Sequence, residues 1–166
     1  MKSSLRIRPW RASDAKRVAH LGGRLSTRSL RSRFWTGVPS LPRAYLRSVE
    51  DRWPYDWDAV VAIRDGQLVG WAEFGRNTAG GDDFDAAFCV IDAEQGRGTG
   101  TALMRALLRH AARSGVTTLH ADIAADNAPA LAAWRRATRG LDPAMTLSID
   151  GFRATLTIPA SAAHAA

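Results

Sequence analysis

Apolar residues recur along this chain with two periods, two and about 3.6, and where one gives way to the other the elements can be placed. Leu5-Arg6-Ile7-Arg8 alternates and reads as a first strand. Ser13-Asp14 then precedes a helical pattern carrying Val18, Ala19, Leu21 and Leu25, with Ser13 or Asp14 as N-cap. Thr27 to Glu50 holds Phe34, Trp35, Tyr45 and Leu46 but is broken by Pro39 and Pro42, so two helices with a loop are expected. Ala59 to Ile63 is an apolar strand. Asp65-Gly66 marks a tight hairpin turn, since a type I′ turn needs positive φ at both central residues. Gln67 to Phe74 is the return strand, Asn77 to Asp83 a Gly-rich loop, and Phe84 to Ile91 another apolar strand.

The second half repeats the alternation. Leu103, Leu107 and Ala111 stand at helical spacing, with Met104 and Leu108 beside them and Gly115 to end the helix. Val116 to Ile123 is a strand. Ala128 to Thr138 is a helix that Asn127 or Asp126 caps and Pro129 begins. Met145 to Ile149 and Phe152 to Ile158 form a closing hairpin across Asp150-Gly151. Strands come in runs rather than in strict alternation with helices, so a mixed α/β (α+β) domain is expected. It spans residues 1–158; the tail 159–166 has nothing to bury and is expected to be disordered.

Composition narrows the classes. The chain has 166 residues, 46% of them hydrophobic, enough for one domain with a core. No run of about 18 apolar residues is present, so no membrane-spanning helix is expected. The first eight residues lack the apolar stretch of a signal peptide, which makes a cytoplasmic address the expectation. Cys89 is alone and can form neither an internal disulfide nor a zinc site by itself. His20, His110 and His120 are scattered without metal-ligand spacing, so no metal is expected. Lys and Arg number 23 against 16 acidic residues, a net charge of +7, and all but Lys2 and Lys16 are arginine. Such an excess suits nucleic acid, a phosphate-rich cofactor, an acidic partner, or a plain compositional bias toward Arg. No nucleic-acid motif accompanies it.

The most informative segment is Gln95-Gly96-Arg97-Gly98-Thr99-Gly100-Thr101, between an apolar strand and an amphipathic helix. Such a loop gathers free backbone N–H groups at the positive end of a helix dipole, and glycine lets an anion approach. A phosphate ligand is the physical expectation. The P-loop pattern fails because no Gly-Lys-Ser/Thr is present. The dinucleotide pattern G-x-G-x-x-G also fails, at Thr101 counted from Gly96 and at Leu103 counted from Gly98, although Asp122 lies near the end of the next strand. A Gly-rich connection with no ligand is the remaining alternative.

The segment resembles the pyrophosphate loop Gln/Arg-x-x-Gly-x-Gly/Ala of the GNAT superfamily of acyl-CoA-dependent N-acyltransferases, and Gln95 to Gly100 matches it position for position. The resemblance covers Leu5 to about Ile158. It implies a mostly antiparallel sheet of about seven strands, splayed between the fourth and fifth, flanked by about four helices. It implies acetyl-CoA as cosubstrate. Val90 and Ile91 would meet the pantetheine arm and polarise the thioester, Gln95, Gly96, Arg97, Gly98, Thr99, Gly100 and Thr101 would hold the pyrophosphate, and Asn127 would bond the pantetheine. A closer likeness is to actinobacterial-type protein-lysine acetyltransferase domains. It is carried by Leu25-Ser26-Thr27-Arg28-Ser29-Leu30-Arg31-Ser32-Arg33-Phe34-Trp35 and by Phe84-Asp85-Ala86-Ala87-Phe88-Cys89-Val90-Ile91-Asp92.

The chemistry assigns the roles. An amine acceptor with a pKa of about 10.4 must lose a proton before it attacks, and a carboxylate in a partly dry cleft can take it. Asp85 stands where the likeness places a glutamate base, and Glu73 on the preceding strand is the second candidate. The developing oxyanion needs backbone N–H groups from the fourth strand. Trp134 aligns with a tyrosine that serves many family members as general acid; lacking an acidic hydroxyl, it is expected to pack against the pantetheine or the core. Cys89 has no nearby His and reads as a buried apolar residue rather than an acyl carrier. Arg28, Arg31 and Arg33 form a cluster near the acceptor side. The expected reaction is acetyl transfer to a primary amine, a protein lysine first and a small amine second. A non-catalytic acyl-CoA-binding module is the alternative of another class.

Overall fold

The structure is a computed structural model, and it describes residues 4–35, 37–51, 56–77, 83–139 and 146–159. The elements run β1 (Leu5–Pro9), α1 (Asp14–Ala19), α2 (Thr27–Phe34), α3 (Arg43–Glu50), β2 (Trp57–Arg64), β3 (Gln67–Arg76), β4 (Phe84–Val90), α4 (Thr99–Arg113), β5 (Thr118–Asp122), α5 (Ala128–Thr138), β6 (Thr146–Asp150) and β7 (Arg153–Thr157). Short 3₁₀ turns stand at Gly22–Arg24 and Asp92–Glu94. The described residues hold five α-helices, the number the element-by-element reading gives with two in Thr27–Glu50, against the about four that the resemblance implies.

The seven strands form one sheet in the order β1-β2-β3-β4-β5-β7-β6. Every neighbouring pair is antiparallel except β4 and β5, which run parallel. Asp65 and Gly66 both take positive φ, 49° and 76°, as the β2–β3 turn requires. The closing hairpin inserts its second strand, β7, beside β5 and leaves β6 at the edge.

Register decides what each face carries. Trp71, Glu73 and Gly75 of β3 lie opposite Cys89, Ala87 and Asp85 of β4, so these six share one face. That face carries α2 and α3: Arg33 pairs with Glu73, and Tyr45 stacks on Trp71. The other face carries Ala72, Phe74, Ala86 and Phe88 and packs α4, whose Leu103, Met104, Leu107, Leu108 and Ala111 are buried. The helix pattern read from those residues is the face they bury.

Two expectations shift. Leu21 and Leu25 join the core but lie beyond the end of α1, which closes at Ala19. β5 spans Thr118–Asp122, shorter than Val116 to Ile123, with Val116 buried ahead of it. Met145 and residues 160–166, including most of the expected tail, lie outside the described residues.

Ser13 occupies the N-cap position of α1 but makes no capping hydrogen bond. Asp14 is turned inward instead. Its fully buried carboxylate accepts from Arg8 at 2.6 and 2.7 Å, from the Arg11 N–H at 2.9 Å and from Arg17 at 3.4 Å. Burial pushes the Asp14 carboxyl up, but the Arg8 hydrogen bond, the Arg11 N–H and the neighbouring charges outweigh it and hold the carboxyl below its usual range. A carboxyl depressed in the folded state contributes stability above its unfolded pKa and loses it as pH falls through the folded value. Asp14→Ala is expected to lower unfolding free energy at pH 7 by about 3–5 kcal/mol, the usual effect of breaking a buried pair. The gap between the two proteins should narrow below about pH 4, where wild-type Asp14 also protonates. Denaturant unfolding at both pH values measures it.

Candidate active site

Strands β4 and β5 are paired at two positions only, Phe84 with Leu119 and Asp85 with His120. Beyond these the strands diverge toward their C-terminal ends. At the two ends of β4, the Asn77 N–H bonds the Asp83 carbonyl and the Ile91 N–H bonds the Val69 carbonyl. Odd-numbered residues of β4 therefore direct their backbone groups at β3. By strand alternation, Ala86, Phe88 and Val90 direct theirs into the gap.

The gap opens into a cleft of about 790 Å³ that crosses the sheet. One wall is β4 from Ala86 to Val90; the facing wall is Ala121, Asp122 and Ile123 with the inward side of α5; α2 adds Arg28, Ser29, Ser32 and Arg33, its start lying beside the glycine loop. Gly96, Gly98 and Gly100 of that loop also line the cleft. Gly98 caps α4 with φ 82°, a conformation that costs an L-residue about 1–2 kcal/mol. Gly100 is needed for space: a Cβ there would meet Phe88 Cε2 at 3.1 Å and Ala133 Cβ at 3.8 Å. Thr99, at the first turn of α4, is buried and its Oγ1 has no hydrogen-bond partner among the described residues. The loop therefore presents helix-start N–H groups around an open concavity, which suits a phosphate oxygen.

The remaining loop residues act within the protein. Gln95 Nε2 donates to the Val90 carbonyl at 3.0 Å, to Ser29 Oγ at 3.0 Å and to Asp92 at 3.3 Å. Asp92 also accepts from the Ser26 N–H at 3.2 Å and Ser29 Oγ at 2.7 Å. Burial pushes the Asp92 carboxyl up, but the Ser26 and Ser29 hydrogen bonds outweigh it and hold it low. This strut fixes the start of α2 against the glycine loop. Arg97 does not line the cleft and pairs at 3.0 Å with Glu94, which also takes Arg64 at 2.8 Å. Ile91 is in the core and does not line the cleft, its N–H spent on Val69. Val90, Thr101, Asn127 and Trp134 do line it. Asn127 caps α5 by accepting the Ala130 N–H at 3.3 Å, and its Nδ2 has no partner among the described residues. Trp134 is buried, and its Nε1 is likewise unpartnered.

The two candidate bases differ in surroundings. Glu73 is 5% exposed. It receives Arg33, the Tyr45 hydroxyl at 3.0 and 3.1 Å, and Trp57 Nε1 at 3.0 Å. Trp71 Nε1 donates in turn to the Tyr45 oxygen at 2.7 Å. Burial first, and then the Glu73 charge, push the Tyr45 hydroxyl well above its usual value, so it stays a donor. Asp85 is exposed on the same face, at the apex where β4 and β5 part, and its carboxylate makes no hydrogen bond or ion pair among the described residues. Neither carboxylate lines the cleft itself. Cys89 is buried, which pushes its thiol up to about 12.

Sequence reasoning did not anticipate the Tyr45–Glu73–Arg33 cluster or the Ser29–Asp92 strut. Their partners lie 28 to 63 residues apart, beyond any local pattern. The one local signal was Ser26, whose hydroxyl accepts the Ser29 N–H and caps α2.

This arrangement defines a class: a splayed α/β sheet whose gap carries strand backbone groups and whose mouth carries a phosphate-type loop. Residues 25–138 match the Acetyltransferase (GNAT) family. The chain belongs to the GNAT acetyltransferase family, with a mixed sheet of seven strands. Among solved structures it is similar to the GNAT domain of S. lividans PAT, with a TM-score of 0.75 at 22% identity, covering 93% of this chain and 89% of that one. It is also similar to yncA from Salmonella typhimurium, solved with its cofactor acetyl-CoA, with a TM-score of 0.69 at 20% identity, covering 98% and 96%. At these identities the likeness is one of fold. A curated relative, a mycothiol acetyltransferase of Brachybacterium faecium, is 36% identical over 99 residues; the match spans 55% of this chain and 29% of that protein's length.

Two outcomes test this description. Gly100→Val should fill the cradle against Phe88 and weaken acetyl-CoA binding at least about ten-fold, roughly 1.4 kcal/mol, with the far-UV circular dichroism unchanged; calorimetric titration measures it. The buried, protonated Cys89 should resist iodoacetamide at pH 7 in the native protein and react after denaturation, as read by intact mass.

Proposed function

We propose that this protein transfers an acetyl group from acetyl-CoA to a primary amine, and that the acceptor is a protein lysine. The observation that carries the reading is the gap in the sheet, into which β4 turns its backbone while the glycine loop stands at one mouth. When bound, acetyl-CoA supplies an activated thioester. The loop from Gly96 to Thr101 holds its pyrophosphate. Asn127 Nδ2 and the gap-facing groups of Phe88 and Val90 orient the pantetheine. The Val90 N–H meets the negative charge that develops on the thioester oxygen. Trp134 walls the thiol end; an indole N–H can donate a hydrogen bond but is no proton source. A thiol with a pKa of about 8.5 leaves without a strong acid.

Asp85 is the favoured base. The Glu73 carboxylate is buried and already engaged by Arg33, the Tyr45 hydroxyl and Trp57 Nε1, so its oxygens are not free to meet an acceptor amine. Asp85 carries no such partners among the described residues, and it stands at the apex of the gap. Its short side chain reaches the acceptor nitrogen through a water. Glu73 acts instead to anchor Arg33 and the α2 wall. The lysine acceptor is supported by the fold likeness to the GNAT domain of S. lividans PAT and by the segments Leu25–Trp35 and Phe84–Asp92. A small amine is the second reading, favoured by the likeness to the mycothiol acetyltransferase.

Asp85→Asn should lower kcat about 10²-fold or more, in the range expected of a general base, and abolish the acidic limb of the pH–rate profile. Thiol release from acetyl-CoA against a panel of lysine peptides and small amines measures both. Wild-type rates at pH 7 in the variant would remove Asp85 from the mechanism.

A further inference from the structure

Among the described residues, the large hydrophobic side chains that stand exposed gather at one place. Trp35 is 56% and Phe152 57% exposed, and their rings meet edge to face with centroids 6.3 Å apart. They belong to opposite halves of the splayed sheet. Trp35 closes α2, which rides on the β1–β4 half. Phe152 is the turn of the β6–β7 hairpin, and its carbonyl accepts the N–H of Ile123, a cleft residue, at 2.7 Å. The pair therefore bridges α2 and the β6–β7 hairpin, two elements attached to opposite walls of the cleft, without itself lining it. Ile149 of the same hairpin is also exposed.

Trp35 is held there at φ 58°. A bulky side chain is a rare occupant of this left-handed position, which at a helix end usually falls to glycine. Backbone strain kept beside a functional mouth points to a role for the side chain. Arg28 and Arg31 lie seven and four residues before Trp35, on the same exposed stripe of α2. Neither has an ion-pair partner among the described residues. Arg28 also lines the cleft. The rim thus combines an aromatic platform with two uncompensated positive charges. A small polar amine entering the cleft would leave this platform exposed; an extended chain lying across the mouth covers it.

We propose that Trp35 and Phe152, flanked by Arg28 and Arg31, form the docking surface for a protein acceptor: a segment with an apolar side chain near the target lysine and acidic residues beside it. This rests on the acetyl-transfer reading above. The apolar residue seats on the aromatic pair, as large exposed aromatics serve as anchors in interfaces. The acidic residues face the two guanidinium groups, and the lysine extends into the mouth.

The test compares a lysine peptide bearing a leucine and acidic flanks, the same peptide with basic flanks, and Nα-acetyl-lysine methylamide. Wild-type protein, Trp35→Gly, Phe152→Ala and Arg31→Glu are assayed by thiol release, with acetyl-CoA affinity measured in each. Trp35→Gly suits the positive φ, so its melting temperature should not fall. For the acidic peptide, the Trp35 and Phe152 variants should raise KM about ten-fold or more with kcat within about two-fold, the scale of losing an aromatic anchor. The small amide's KM and acetyl-CoA affinity should not move. Arg31→Glu should reverse the preference between acidic and basic peptides. An unchanged peptide KM, an equal change for the small amide, or a wild type that turns over the small amide as efficiently as the peptide would overturn the docking surface and leave acetyl transfer standing. Failure of the wild type to bind acetyl-CoA, or to transfer to any amine, would overturn both.

Discussion

Everything distinctive about this molecule follows from two strands that stop pairing. β4 and β5 share two residue positions and then separate. A backbone N–H or C=O taken from water without a partner costs free energy comparable to a lost hydrogen bond, so an internal strand rarely leaves its edge open. Here the groups of Ala86, Phe88 and Val90 face the gap, and the protein answers for one of them itself, with Gln95 reaching back to the Val90 carbonyl. The rest are left for an extended, hydrogen-bonding chain. An amide-bearing arm laid along the strand would complete the ladder much as a further strand would.

Such a gap needs rigid banks. On the β1–β4 half the rigidity is concentrated at Glu73. Its carboxylate gathers donors from α2, α3 and β2 at one buried point of β3, through Arg33, Tyr45 and Trp57. The charge is tolerable in the interior because each oxygen is satisfied. Arg33 gains further support over the Phe34 and Tyr45 rings, at 4.7 and 5.3 Å. Since Arg33 also lines the cleft, one buried ion pair both holds α2 on the sheet and sets the position of a cleft wall. The Ser29–Asp92–Gln95 strut performs the same service at the start of α2, tying it to the glycine loop. Through α2, the phosphate end and the acceptor end of the cleft share a single rigid element.

What could be read from the chain before its structure was whatever depends on neighbours in sequence. The Asp65-Gly66 turn, the Asn127 cap of α5 and the core face of α4 are each set within a few residues, and each stands where periodicity and turn chemistry put it. The glycine loop was legible for the same reason. Glu73 stood out as a second candidate base, but its burial and its ring of partners were not legible, because Arg33, Tyr45 and Trp57 come from distant parts of the chain. The role of Gln95 was hidden by an ambiguity: a glutamine before a glycine loop suits an anion as well as it suits the Val90 carbonyl and Ser29. The order in which the last hairpin joins the sheet was beyond local reasoning too. Thr146–Asp150 and Arg153–Thr157 are alike in pattern. The Ile123–Phe152 and Ile158–Thr117 backbone bonds at its two ends place β7, and not β6, against β5.

The net charge of +7 takes on a different meaning once the pairs are traced. Arg8 and Arg17 serve Asp14, Arg33 serves Glu73, Arg64 and Arg97 share Glu94, Arg76 meets Asp56 and Arg153 meets Asp122. Two acids, Asp14 and Glu94, each hold two arginines, and so concentrate positive charge around buried carboxylates. A guanidinium suits this use because its planar fork satisfies several acceptors at once while its stem packs on apolar surface. Five of these arginines sit at the buried carboxylates Asp14, Glu73 and Glu94, so part of the charge excess has a structural use. At the cleft, Arg28 and Arg136 form no ion pair among the described residues, and Arg31 lies beside Arg28 on the same stripe of α2. Charge left uncompensated beside a substrate mouth acts over roughly a Debye length, about 8 Å at physiological salt, so its effect falls on the approach and orientation of the acceptor rather than on the fold.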